Sequence, residues 1–237
     1  MWLMRFNPIK CQVIRITNKP NPVTENYTIR GHILEVVPHA KYLGVSIDSK
    51  LSFNAHVDAT VKKANGTRAF LSRNLSRCSR KVKEASYFGY VRPIVEYAAT
   101  AWDPHTTKNI DKVEMVQRRC ARYVTSNYAR TSSVSSMLED LNWPTLQTRR
   151  HNTSLAMMYR IRYGLVDIRW EDHLSGASEA TLKTRGHSSR FTLPHCKTQV
   201  YASSFIPRTS RDWNNLKIDP SSFATLKSFK VALRVTP

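Results

Sequence analysis

Catalytic chemistry needs carboxylates, imidazoles, thiols or hydroxyls held close together, and this chain places few of them so. The adjacent acids Glu139-Asp140 and Glu171-Asp172 stand in helical or loop context, and Asp48 follows a strand pattern with no carboxylate neighbour in sequence. Paired carboxylates hold two metals for in-line displacement only when a rigid turn aims both at one point. His105 lies beside Asp103 and Trp102, but Trp-Asp-Pro-His reads first as a turn, with Asp103 bonding nearby backbone amides. Cys11, Cys78, Cys120 and Cys196 are far apart and form no CxxC pair. Neither a zinc site nor a disulfide framework is expected from them; reduced, mostly buried thiols are. There is no HExxH, no GxSxG and no phosphate-cradling glycine loop, and the seven glycines are scattered singly. Ser, His and Asp are abundant, yet nothing in their spacing places a triad. No catalytic residue, no metal ligand and no cofactor is expected from these residues.

What the chain concentrates instead is positive charge. Thirty-seven Lys and Arg against 17 Asp and Glu leave +20, with a pI near 10.2. Such an imbalance points to a polyanion, of which nucleic acid is the commonest; a solvated basic surface, a ribosome-like role or a membrane-surface role is the plainer reading. The densest block runs over 62–92, with Lys62, Lys63, Arg68, Arg73, Arg77, Arg80, Lys81, Lys83 and Arg92 against the single acid Glu84. The first eight of these cations are the primary candidates for nucleic-acid contact, and Arg118, Arg119 and Arg122 form a second group. Cations that neutralise phosphates release counterions, so such binding is salt-dependent and largely blind to sequence. Tyr87 and Tyr90 sit beside the block. Tyrosines there can stack on an unpaired base at roughly 1–3 kcal/mol per base, but Tyr90 and Tyr97 are expected in the core, the default for large aromatics at helical spacing.

The elements that must position these residues are mostly helices. A chain of 237 residues, 41% hydrophobic, holds one large domain or two small ones and is not of disordered composition. Residues 11–16, 27–37 and 41–48 have the β-branched content of three short strands in a small antiparallel sheet, with Gly31 at a bulge or bend and a loop at 18–22. Residues 54–75 form a helix with Val57, Val61, Ala64, Leu71 and Leu75 on one stripe; Arg68 interrupts it and must snorkel or pair. Another helix runs from about Ser79 to Tyr90. A helical hairpin follows, its first arm starting or kinking at Pro93 and ending near Ala101. Its second arm is capped by Thr107 or Asn109, with Ile110, Val113, Val116, Cys120 and Val124 on one face and Glu114-Arg118 as a favourable i,i+4 pair. Helices through Val134–Leu141 and Leu146–Arg162 come next, with Pro144 in the first turn of the latter and Gly164 as its stop. Periodicity fades over 172–199, read as a flexible loop in which KTRGHSSRF either touches phosphate or is solvated. A last amphipathic helix opens with a Ser222 cap and carries Phe223, Leu226, Phe229 and Leu233.

Several stretches carry a resemblance. VRPIVEYAATAWDPHTTKNIDKVEMVQRRCARYV resembles the region beyond the polymerase palm in reverse transcriptases of non-LTR retrotransposons, of the jockey-like and chicken-repeat-like lineages. MRFNPIKC, YLGVSID, FLSRNLSRCSRKVKEASY, LNWPTLQTRR and SFIPRTSRDWNNL agree in the same order, so the resemblance covers nearly the whole chain. It implies an α+β fold, mostly α with a small N-terminal antiparallel β region. Residues 1–50 would end the palm, 51–125 would be the helical thumb-like bundle, and 126–237 a C-terminal helical region with a flexible loop near 172–200. The family's catalytic aspartates stand in an aromatic-x-Asp-Asp strand turn, and no such sequence occurs here. By the family's order that turn falls upstream of Met1, so the N-terminus reads as a truncated domain with its sheet partners missing. The intact polymerase would need Mg2+, whose ligands are absent, and this chain alone is expected not to polymerise DNA.

Three readings follow. One is a reverse-transcriptase fragment that binds template-primer or element RNA, including the case of a relic copy with no selected activity. The second is a repurposed nucleic-acid-binding protein, and the third a structural or protein-interaction module. The expected partner is RNA or an RNA–DNA hybrid, with no membrane and no small-molecule substrate. The first residues lack the apolar stretch of a signal peptide, and no apolar run approaches the ~20 residues that span a bilayer. A soluble intracellular protein of nucleus or cytoplasm is therefore expected.

Overall fold

The computed structural model describes residues 7–17, 19–22, 24–176 and 186–235. The chain divides into two units, Met1–Ala59 and Thr60–Pro237. It is mostly α with a small β region, as expected.

The β region differs in detail from one antiparallel sheet. β1 (Gln12–Val13) pairs in parallel with β4 (Glu35–Val36), while β2 (Thr28–Ile29) and β3 (His32–Ile33) form a hairpin, as do β5 (His39–Tyr42) and β6 (Val45–Asp48). The stretch 41–48 is thus not one strand. Its Leu43-Gly44 is a two-residue turn with both φ positive, and Arg30-Gly31 is another. Two consecutive left-handed residues give the turn twist that suits a hairpin, and glycine at the second position removes half of the strain. Asp48 closes the second hairpin. Its carboxylate accepts from the backbone amides of Lys50, Ser52 and Phe53 at 2.9–3.1 Å and from the Ser52 hydroxyl at 2.7 Å.

The helical unit is built on sequence stripes. α1 (Asn54–Asn74) buries Val57, Ala64 and Leu71. α2 (Arg80–Ser86) leads into a π-helical turn at Tyr87–Val91 and then α3 (Arg92–Glu96). Pro93 has no N–H to donate, and the helix widens just before it, Arg92 bonding back five residues to Tyr87. Ala98 is left-handed, which separates α3 from the single turn α4 (Ala99–Trp102). α5 (Thr107–Thr125) starts from Thr106, one residue earlier than the capping residues read from sequence, and buries Val113, Val116, Cys120 and Val124. α6 (Val134–Asp140) follows.

α7 (Leu146–Arg162) is the helix against which α4 and α5 pack, together with two helices near the C-terminus. It therefore buries residues on several faces, among them Arg150, Leu155, Met158 and Tyr159. Its N-cap is Thr145, not a turn containing Pro144, and Gly164 ends it at φ +65 as expected. α8 (Gln199–Ser203), α9 (Phe205–Asn214) and α10 (Leu226–Val235) complete the unit, the last two being the C-terminal helices that pack on α7. α10 is capped by the Thr225 hydroxyl, which accepts from the Ser228 amide at 3.1 Å, while Ser222 lies in a preceding turn led by Asp219.

One core cluster joins Leu155, Met158, Tyr159, Leu174, Phe191, Trp213, Phe229 and Leu233. The described part of the expected loop at 172–199 belongs to it. β7 (Ser175–Gly176) pairs with β8 (Phe191–Thr192), and His187 is buried with its Nε2 2.8 Å from the Trp213 carbonyl oxygen. Asp219 accepts from the hydroxyls of Ser188 and Ser189. GHSSRF is therefore a packed corner rather than a solvated strip, while 177–185 lie outside the described residues.

Candidate nucleic-acid interface

An α-helix turns about 100° per residue, so sequence spacing alone sorts the faces of α1. Taking Lys62 as the origin, Arg73, Gly66, Phe70, Lys63 and Asn74 fall within about 120° of arc. Val57, Ala64 and Leu71 fall on the opposite side. Burial agrees with that partition: Lys62, Lys63, Gly66, Phe70, Arg73 and Asn74 are exposed, and Val57, Ala64 and Leu71 are buried. Arg77, Arg80 and Lys81, in the connection and the start of α2, are exposed as well. Arg80 donates to the Asp140 carbonyl at 3.3 Å but keeps its exposed position.

The remaining cations sit elsewhere. Arg68 turns away from that arc; its Nε is buried with no hydrogen-bond partner, and its charge draws down a Cys120 thiol that burial pushes up to about 12. Lys83 is 5% exposed, donates to the Ser126 hydroxyl at 2.7 Å and lies 5.9 Å from the centre of the Tyr123 ring. Arg122 donates to the carbonyls of Asn127, Ala129 and Ser132 and closes the turn after α5. Arg118 is half-buried and Arg119 exposed, both on α5.

The acids nearby are engaged. Glu84, alone among the block's cations, accepts from the Trp143 indole N–H at 3.0 Å. Trp143 in turn stacks on Tyr87 with ring centres 4.2 Å apart. Tyr87 is buried and donates to Gln117, which donates to the Pro144 carbonyl. Burial raises the Tyr87 pKa well above its ordinary value, which keeps the phenol a donor. Tyr90 and Tyr97, expected in the core, are 65% and 57% exposed. The π turn and the break at Ala98 shift the helical phase there, so a straight 3.6-residue count puts both rings on the wrong side. Phe70, outside the apolar stripe of α1, is 59% exposed. Its phase relative to Lys63 and Arg73 is readable in the sequence.

Two other sequence expectations change. Asp103 does not bond nearby amides: it pairs with Arg150 Nε at 2.7 Å and Arg208 at 3.4 Å, tying the turn to α7 and α9. Glu114 does not serve Arg118; its carboxylate accepts from the amides of Leu146 and Gln147 at 3.1 and 2.6 Å. All four cysteines are free thiols, but only Cys120 is buried; the others are half-exposed.

Among the described residues no three His, Cys, Asp or Glu side chains gather as a metal site. Asp48 has its oxygens filled by the hairpin, and those bonds hold its pKa below the ordinary value although burial opposes them. Among the described residues, no helix is long and apolar enough to cross a membrane.

Comparison with known proteins agrees with the sequence resemblance. Over 173 residues, 70% of its length, the chain is 29% identical to the probable RNA-directed DNA polymerase from transposon BS of Drosophila melanogaster, covering 19% of that protein. It is 22% identical over 166 residues, 68% of its length, to the RNA-directed DNA polymerase from mobile element jockey of the same fly, covering 18%. The chain thus spans about a fifth of the length of these curated relatives. No family model matches it, and no solved structure does so significantly. Over some seven-tenths of its length, this chain is similar to a segment of mobile-element RNA-directed DNA polymerases.

Proposed function

We propose that the chain binds nucleic acid, template-primer hybrid or element RNA, through the exposed basic face of α1 and the start of α2. The observation that carries this reading is the separation of cations by burial. Lys62, Lys63, Arg73, Arg77, Arg80 and Lys81 are exposed, and the one acid in their stretch, Glu84, is held by Trp143. Asp58, exposed one turn before Lys62, offsets part of this charge, and the excess of cations still raises the local potential and favours a polyanion over an acidic patch of a protein, whose charges are sparser. The kinship to RNA-directed DNA polymerases supports RNA or an RNA–DNA hybrid as that polyanion. The proposed activity is binding alone. Arg119 is a subsidiary contact; Arg68, Lys83 and Arg122 have structural work within the fold.

The test is binding of the purified chain to a labelled RNA–DNA hybrid from low to physiological salt. The expected result is log affinity falling linearly with log salt, with the hybrid preferred over single strands. Reversing Lys62, Lys63 and Arg73 to Glu is expected to flatten the slope by about 2–3, near 0.9 for each phosphate no longer neutralised. A folded chain that fails to bind at low salt would favour an interaction module or a relic.

A further inference from the structure

We infer that Phe70 is a stacking platform for an unpaired nucleobase, set between the phosphate-binding cations of α1. This rests on the reading that the basic face takes nucleic acid. A single exposed apolar side chain is ordinary on a protein surface and by itself means nothing. Three observations set this one apart. Its phase puts it inside the arc of Lys62, Lys63 and Arg73, so the ring is flanked by cations on both sides along the helix axis. Helical side chains lean toward the N-terminus and lie over the preceding turn, where a neighbour at i−4 would cover the ring. Here that neighbour is Gly66, and a Cβ added there would meet nothing within 4 Å. On the other side Asn74 turns back to donate to the Phe70 carbonyl at 2.8 Å, which keeps its amide off the ring.

The result is an exposed aromatic beside an open gap, between cations about 16 Å apart at 1.5 Å of rise per residue. A nucleic-acid strand running along those cations would present its bases to the gap. Only a base with a free π-face can use the ring, so the ligand is an unpaired base next to phosphates: a single-stranded overhang beside a duplex. Paired bases inside a blunt duplex have no face to offer.

The experiment compares two labelled RNA–DNA hybrids, one blunt and one with a single-stranded RNA overhang, on the wild-type chain and on Phe70→Ala, Phe70→Trp and Gly66→Leu. The wild type is expected to bind the overhanging hybrid about fivefold or more tightly than the blunt one. Phe70→Ala removes that difference and leaves the salt slope unchanged, because every cation that meets a phosphate stays in place. Phe70→Trp keeps the preference. Gly66→Leu improves helix propensity and covers the ring, so it abolishes the preference in a chain at least as stable as the wild type. Equal wild-type binding to both hybrids, or a preference that survives Phe70→Ala or Gly66→Leu, overturns this inference and leaves the proposed function standing. Failure of the wild type to bind either hybrid removes both.

Discussion

Among single residues, the polar side chains near the Trp-Asp-Pro-His turn act on structure rather than on a substrate. Asp103 receives one arginine that is 1% exposed and a second that is partly exposed. Among the described residues Arg150 has Asp103 as its charged partner, and its two terminal nitrogens are buried without hydrogen bonds. A buried cation left alone is costly, whereas the pair itself contributes little beyond an apolar replacement. Asp103→Ala is therefore expected to lower stability by about 3–5 kcal/mol in chemical denaturation. A loss below about 1 kcal/mol would mean that solvent reaches Arg150. The sequence marks Asp103 as a polar residue at a turn. It holds no sign that the partners stand 47 and 105 residues away, because ion pairs across helices follow from packing and not from spacing.

Among the elements, the helices are legible in the sequence and their ends less so. α1, α5 and α7 appear where apolar residues recur every three or four positions, and Gly164 ends α7 where it is expected. The caps stand one to three residues away from the sequence reading, since any nearby hydroxyl or carboxylate that reaches a free amide will serve. Glu114 shows the limit of local reading. It sits four residues before Arg118, yet its carboxylate faces the positive end of α7, where two amides and the helix dipole outweigh one half-buried cation. Glu114→Ala is expected to cost about 1–2 kcal/mol, and Arg118→Ala close to nothing, by thermal or urea unfolding. Equal losses would restore the Glu114-Arg118 pair as the working interaction.

Across the whole molecule, the two units differ in how their backbone is protected. The N-terminal unit holds two-stranded ladders of two to four residues, a length that is marginal without further packing. Its β5–β6 hairpin is tied to α1 by His56, whose Nδ1 accepts from the Ser46 amide at 3.2 Å. Burial, aided by the charge of Lys41, holds the His56 pKa below its ordinary 6.5. The folded state thus prefers the neutral ring. Its contribution is complete above 6.5 and is lost as pH falls through that value toward the lowered one. Amide exchange, corrected for intrinsic rates, is expected to show hairpin amides of 39–48 losing protection between about pH 7.5 and about pH 5. Amides of α5 and α7 are expected to hold theirs, and His56→Gln to remove the pH response. Protection of the hairpin that does not change with pH would show that His56 protonates without releasing Ser46.

Residue order alone carries the helical class, the kinship to mobile-element polymerases and the concentration of cations over 62–92. Each is a matter of composition, of local periodicity or of ordered matches, none of which requires distant contacts. Which of those cations face solvent is only partly legible there: helical phase puts Arg68 on the apolar side of α1, but nothing in the spacing of Lys83 marks it as different from Lys62 and Arg73. The distinction comes from α5 and the turn after it, which supply Ser126 and Tyr123 for Lys83 and bring Cys120 close to Arg68. The same holds for Tyr90, Tyr97 and the corner at Asp219. A side chain's exposure is set by what packs against its element, and that neighbour is chosen by the fold as a whole.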